Sequence, residues 1–302
     1  VGNDLPASEK RLEPPRGFRG AALPGHSPVV YAPEGGRVVD IDAVGACYRP
    51  WMANHLACIG IHANDQATFG RVMDSLLKNT TSAGTAGDHE LKVWSDASGA
   101  SYSFVFNHAS KVECSIPSFR ADSRLRVRAI GFASHKSCRF CDPLEAEMVD
   151  AEGHVFYPFA TQLDDIALVR ERIQTGTELE LAPCAFAESL QAWPDEAAYQ
   201  ASRKPGKAPR VSKVFVPNPA ALLSKGGPPP PVAPRVHFTG HVEAADVRTN
   251  GVTGHTFQHA LVKTYGGTYD VLAAADEKTP LLWPGNIVRG NFWLVARVTA
   301  GL

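Results

Sequence analysis

Hydrophobic and polar positions alternate with a period of two over much of this chain, the spacing of strands with one buried face. The clearest run lies near the end. Val236, Phe238, Gly240 and Val242 alternate with His237, Thr239, His241 and Glu243. Asn250-Gly251 and Thr253-Gly254 are turn signals, and Thr256–Tyr265 is a second extended run. Gly266-Gly267 links it to Thr268–Ala274, a hairpin signal because such turns need positive φ. A loop ending in Trp283-Pro284-Gly285 leads to Ile287–Val298, which places Val288, Phe292, Leu294, Ala296 and Val298 on one face. Four or five strands in this stretch, with Gly240 and Gly290 inside the first and last, predict a small barrel, OB-like in strand count and turn placement.

An earlier stretch repeats the order. Arg124, Arg126 and Arg128 alternate with Leu125, Val127 and Ala129, and Leu144–Val149 alternates likewise. Asp150-Ala-Glu-Gly153 is a hairpin loop into His154–Phe159. Asp164 or Asp165 is placed to cap a short helix through Ile173, and Gly176 precedes the extended run Glu178–Leu190. Strand, hairpin, crossing segment and Gly-led last strand follow each other as in 235–298, which predicts a second, related barrel-like unit.

Before these, His55–His62 reads as a strand. Asn64 or Asp65 caps a helix over Gln66–Lys78, whose Phe69, Val72, Met73, Leu76 and Leu77 share one face. Asn79–Gly87 reads as a loop, and Glu90–Trp94, Tyr102–Asn107 and Lys111–Ile116 as strands, the first two joined by Asp96-Ala-Ser-Gly99. This βαβββ order resembles one module of the vicinal oxygen chelate enzymes, the glyoxalase group. The resemblance implies a metal held by a strand His and a strand Glu, and His55 and Glu113 are the positions that match. The same order is also that of an ordinary helix packed on a sheet.

The fold class expected is mainly β with a small α+β unit and two small barrel-like β-units. The divisions are an extended arm at 1–45 with a short strand at Val38–Ile41, the α+β unit at 46–123, an acidic β-rich unit at 124–200, a basic Pro-rich linker at 201–234 and the OB-like barrel at 235–302. The linker is stiffened by Pro228–Pro231, and Val214-Phe215-Val216 is apolar enough to anchor it on a domain.

Composition changes this picture little. The chain has 302 residues, 44% hydrophobic, with a net charge of −1, an ordinary soluble composition and no polyelectrolyte. The opening stretch is polar and Pro-rich, unlike a signal peptide, and no apolar run approaches the length of a membrane span. Six cysteines make no disulfide framework, so a reducing, cytoplasmic compartment is expected. Charge is segregated: Asp142–Tyr199 holds 13 acids against Arg170 and Arg172, while 203–235 holds seven cations and no acid. Internal neutralisation is the expected outcome, with Arg126 and Arg128 facing Glu145 and Glu147 across strands and the linker lying along the remaining acids.

Two constellations carry candidate chemistry. In His135-Lys-Ser-Cys138-Arg-Phe-Cys141, the Cys-x-x-Cys spacing suits two thiolates on one tetrahedral Zn²⁺, with His135 as a third ligand. No second pair follows, so Cys114 or His154 would have to arrive from elsewhere; otherwise the motif is two thiols in a loop. Redox use is disfavoured because Asp142-Pro143 and a strand follow, where a reactive pair opens a helix. On the last strand Arg289, Trp293 and Arg297 share the face opposite the core, and His237 and His241 lie outward on the first. Such a face could stack a base and track a backbone, or Trp293 could pack on another part of the chain. With six cations against five anions, 235–302 is too balanced for phosphate-driven affinity.

No phosphate loop, nucleophile elbow or His-Glu-x-x-His occurs. No catalytic residue is assigned, and the reading leans away from an enzyme. Binding or assembly is expected, with a protein partner or self-association favoured over nucleic acid and no membrane. The alternatives are a single-stranded nucleic-acid binder and a metal-dependent enzyme of the chelate type. No cofactor is expected beyond the candidate structural zinc.

Overall fold

In the computed structural model of the chain, residues 52–63, 65–134, 138–202, 211–217 and 232–302 are described, and their alternating segments form thirteen strands in two sheets. The arm at 1–45, its strand at Val38–Ile41, His135 and most of the basic linker lie outside these residues.

The chain enters through helix α1 (Met52–Ala57) and helix α2 (Gln66–Lys78). Asp65 caps α2 as expected, accepting the Thr68 N–H at 2.7 Å, and Phe69, Met73 and Leu76 are buried on one face. The strand expected at His55–His62 is instead α1 and a turn, closed by Ile61 N–H donating to Leu56 O at 2.9 Å. Leu56, Cys58, Ile59 and Ile61 are all buried, and a short run that is apolar on every side carries no period to separate helix from strand.

Strands β1 (Thr81–Ala86), β2 (His89–Ser95), β3 (Ala100–Phe106) and β4 (Val112–Phe119) form an antiparallel meander. β1 replaces the loop expected at Asn79–Gly87. It is an edge strand, mostly exposed, so it needs no apolar face to mark it. The order is therefore two helices then four strands, not βαβββ. His55 and Glu113 meet different partners: His55 lies 3.5 Å from Glu188, and Glu113 lies 3.1 Å from His89.

The second sheet holds β5 (Leu125–Phe132), β6 (Leu144–Val149), β7 (Val155–Leu163), β8 (Glu178–Trp193), β9 (Val214–Pro217), β10 (Arg235–Thr249), β11 (Thr256–Lys263), β12 (Thr268–Ala274) and β13 (Ile287–Ala300). Helix α3 (Ile166–Val169) lies between β7 and β8, and α4 (Glu196–Ala201) follows β8. Turn chemistry acts as expected at 150–153, where Asp150 accepts from Glu152 N–H and Gly153 takes φ 86°.

The pairing of this sheet corrects the expectation of two separate barrel-like units. Strands β5, β6, β7, β13 and β8 pair in turn and return to β5. Strands β10, β11, β12, β8 and β13 pair in turn and return to β10. The two rings share β8 and β13, so each four-strand segment takes its fifth strand from the other. Closure is partial: β13 meets β7 in parallel through two residue pairs, and β12 meets β8 through three. Length explains the sharing. β8 has 16 residues and β13 has 14, spans of about 50 and 45 Å at roughly 3.3 Å per residue, longer than one small barrel uses. Gly290 permits the crossing, since a Cβ there would fall on the Ser189 carbonyl and the Phe292 ring.

Strand β9, from the basic linker, pairs with β10. Its Phe215 stacks on Tyr157 at 4.4 Å and on Tyr269 at 5.5 Å, and Phe238 stacks on Phe292 at 3.8 Å. The apolar anchor thus reaches both rings. Arg126 and Arg128 bond Glu178, and Arg124 lies 3.7 Å from Glu180, not Glu145 or Glu147. The cause is that β5 pairs with β8 as well as β6, which places the acids of β8 alongside. These pairs are exposed and contribute about 0–1 kcal/mol each. Among the described residues no helix is long and apolar enough to cross a membrane.

Candidate thiol centre and the shared-strand face

The best-built cluster of reactive side chains joins the two sheets. On β4, Val112, Cys114 and Ile116 point inward. Between β5 and β6, Cys138 is extended and opens a single 3₁₀ turn over Arg139–Cys141, in which Cys141 N–H donates to Cys138 O at 3.0 Å. This turn puts both thiols on the side facing β4. The Sγ atoms of Cys114 and Cys141 are 3.5 Å apart, and those of Cys114, Cys138 and Cys141 all lie within 4.8 Å of one another. Of the two distant ligands named from sequence, Cys114 is therefore the one that arrives. His154 sits in a separate, exposed group with Asp150 and Glu152.

The loop is braced on both sides. Phe140 is buried edge-on against His89 at 4.8 Å, and its carbonyl accepts from the Cys114 thiol at 3.7 Å. Arg170 donates to Arg139 O at 2.9 Å and to Asp142 at 2.7 Å. Hydrogen bonds from the Cys114 and Cys141 thiols, acting against burial, bring the Cys138 thiol down to about 3. A thiolate there is the form that binds metals and attacks electrophiles.

The residues expected on the outer face of the C-terminal strands are brought into one band by register. Arg235 lies opposite Trp293, His237 opposite Asn291 and Thr239 opposite Arg289. Each makes contacts inside the chain. Trp293 is half-buried, packs on His55 at 5.4 Å, carries Arg235 over its ring and donates Nε1–H to Gln162 at 3.2 Å. Arg289 donates to His237 at 3.0 Å, and His241 pairs with Ser212 at 3.1 Å. Arg235 also bonds Glu188 at 2.9 Å. Burial pushes the Glu188 carboxyl up, but hydrogen bonds from His55 and Arg235 outweigh it and hold the group below the usual range.

Arg297 departs from this band. It donates twice to Asp164, at 3.0 and 2.9 Å, and Asp164 also accepts from Ser118 of β4. Asp165, beside it, accepts from Val298 N–H at 3.1 Å; burial, then the Asp164 charge, raises its carboxyl to about 8. Sequence reasoning placed this pair as helix caps. Two adjacent acids ahead of an apolar helix, with an Arg on the shared strand, were the available signal.

A second polar chain was also missed. Ser123 donates to Asp270 at 2.5 Å, Asp270 bonds His259 Nε2 at 2.7 Å, and His259 Nδ1 bonds Asp246 at 2.9 Å. The residue types are those of a hydrolytic triad, but the carboxylate stands between the Ser and the His. His259 therefore has no path to take the Ser123 proton, and the network is suited to holding strands rather than activating a nucleophile. A shallow cleft of about 290 Å³ near α2 is lined by His62, Arg71, Thr253 and His255. Burial and the neighbouring His255 hold His62 below its ordinary value. No protein family, curated protein or solved structure matches this chain.

Proposed function

We propose that this chain is a non-catalytic binding or assembly protein, built on two interlocked OB-like barrels, that associates with a second copy of itself. One observation supports the reading most. The tips of the two rings bring Val155, Phe156 and Tyr265 together at the surface, with Phe156 and Tyr265 41% and 51% exposed and their rings 5.8 Å apart. Exposed aromatic groups gathered from two hairpins mark interaction sites more often than scattered ones do. The polar clusters, by contrast, are directed at groups within the chain. The test is sedimentation velocity over a range of concentrations, on the parent chain and on Phe156→Ser with Tyr265→Ser. The parent should gain mass with concentration and the double variant should not. A parent that stays monomeric throughout removes the self-association reading.

A second reading, single-stranded nucleic-acid binding through the C-terminal barrel, is favoured by the band of Arg235, His237, Arg289 and Trp293 on one face. Labelled oligothymidylate should then bind in low salt, weaken as salt rises and weaken again in Arg289→Ala. An unchanged anisotropy at low salt sinks it.

A further inference from the structure

We propose that Cys114, Cys138 and Cys141 form a binding site for a thiophilic d¹⁰ cation, Zn²⁺ or Cu⁺, which ties β4 of the four-stranded sheet to the β5–β6 loop of the larger one. The proposal goes beyond the assembly reading and does not depend on it.

The geometry comes first. Four sulfurs around Zn²⁺ at about 2.3 Å stand roughly 3.8 Å apart along each tetrahedral edge. Cys114 and Cys141 are at 3.5 Å, and all three sulfurs lie within 4.8 Å. An adjustment of about 1 Å or less brings the set to a ligand face. The separations are also far from the 2.03–2.05 Å of a disulfide, and any one disulfide would strand the third sulfur.

The chemistry of the donors comes second. Three thiolates with no carboxylate in the set select soft cations over Mg²⁺ or Ca²⁺. Cu⁺ is satisfied by three sulfurs. Zn²⁺ takes a fourth donor, and the half-buried Cys138 and Cys141 leave one side of the cluster open to it. On binding, the Cys138 thiolate coordinates as it stands, the S–H bonds of Cys114 and Cys141 are replaced by S–metal bonds and their protons go to solvent, with no change of oxidation state.

The setting comes third. The knuckle is pre-shaped by the Cys141 N–H to Cys138 O bond, and Arg170 holds its flanks through Arg139 O and Asp142. Cys114 approaches from a different sheet. Such a site reinforces a contact between segments that are otherwise joined by packing and by thiol-to-carbonyl hydrogen bonds.

The test uses the full chain, reduced, stripped with chelator and dialysed. Zn²⁺ and Cu⁺ are titrated separately against a chromophoric competitor, and Co²⁺ is added to look for thiolate-to-cobalt charge-transfer absorption. One equivalent of Zn²⁺ or Cu⁺ should bind, and Cys114, Cys138 and Cys141 should be protected from alkylation by mass mapping. Which of the two binds tighter identifies the ion. Cys138→Ser, at a half-buried position, should fold normally by circular dichroism and bind about 100-fold more weakly. Cys114→Ala reports the buried ligand if it folds, and alkylation mapping of the parent covers the case in which it does not. Absence of uptake by the folded parent overturns the proposal. So does uptake that leaves these three thiols reactive, or that is unchanged in Cys138→Ser.

Discussion

The two rings follow one strand plan but cross over differently. In the first, the segment between β7 and β8 forms α3, whose Ile166, Ala167 and Val169 are buried, and Leu168 packs over Gly84 of β1. In the second, the segment between β12 and β13 is a loop, burying Leu282 but leaving Leu281 and Trp283 49% and 59% exposed. Each crossing opens with acids, and they behave oppositely. Asp165 is raised to about 8 by burial and then by Asp164. Asp276 is lowered, first by the Thr279 hydroxyl and then, against slight burial, by backbone N–H groups of its own turn. Among the described residues, the same topological position is a core element where another sheet covers it and an exposed turn where none does.

The sharpest way to break the comparison is at the strands both rings share. Gly290→Val would drive side-chain atoms into the Ser189 carbonyl and Phe292, and should cost about 3 kcal/mol or more. One cooperative melt at lower temperature is expected. A two-step melt with one step unmoved would mean that the rings are energetically separate.

Arg297→Ala tests the first crossing. Asp164 is 2% exposed and would lose its cation, while Arg297 itself is 37% exposed, so the buried-pair penalty of about 3–5 kcal/mol is discounted to about 2–3 kcal/mol. Urea denaturation gives the value. A loss below about 0.5 kcal/mol would show that water already serves Asp164.

The Asp165 carboxyl moves from 3.8 to about 8 on folding. Between those values the folded chain holds a proton that the unfolded chain has lost, so stability falls as pH rises through this window and levels off above it. Asp165→Asn should therefore match the parent at pH 4 and exceed it at pH 8. Thermal melts at both pH values decide, and equal differences would sink the assignment. Smallest of all, Trp283→Ser on the second crossing should stay within about 0.5 kcal/mol. A larger loss would mean that this loop is covered after all.

Strands were legible where one face is buried and one is wet: β5, β6, β10 and β13 alternate, and α2 shows its buried stripe and its Asp65 cap. α1 was not, because Leu56, Cys58, Ile59 and Ile61 are buried all round. β1 was not, because an exposed edge strand of Thr, Ser, Gly and Ala has no pattern. The repeated order of 124–200 and 235–302 was visible, but not that the segments exchange strands, since pairing between β8 and β13 joins residues 94 to 120 positions apart. A shorter separation was enough to hide the thiol centre, since Cys114 stands 27 positions before Cys141 and on another sheet. Cys138-x-x-Cys141 could be read locally, and Cys114 could be named only as one of two options. Arg297 was misplaced as an outward cation because β13 is covered by the crossing segment on that side.

Sharing β8 and β13 also sets a schedule for synthesis. The first ring needs Ile287–Ala300 to close, although its other four strands are complete by Trp193. While the ribosome is still adding the second segment, β7 and β8 must wait with open edges, and contacts of such high order form slowly. Open edges of this kind recruit other nascent chains. Folding of this protein is therefore expected to finish only after Ala300 has left the exit tunnel, and to benefit most from holding chaperones during that interval.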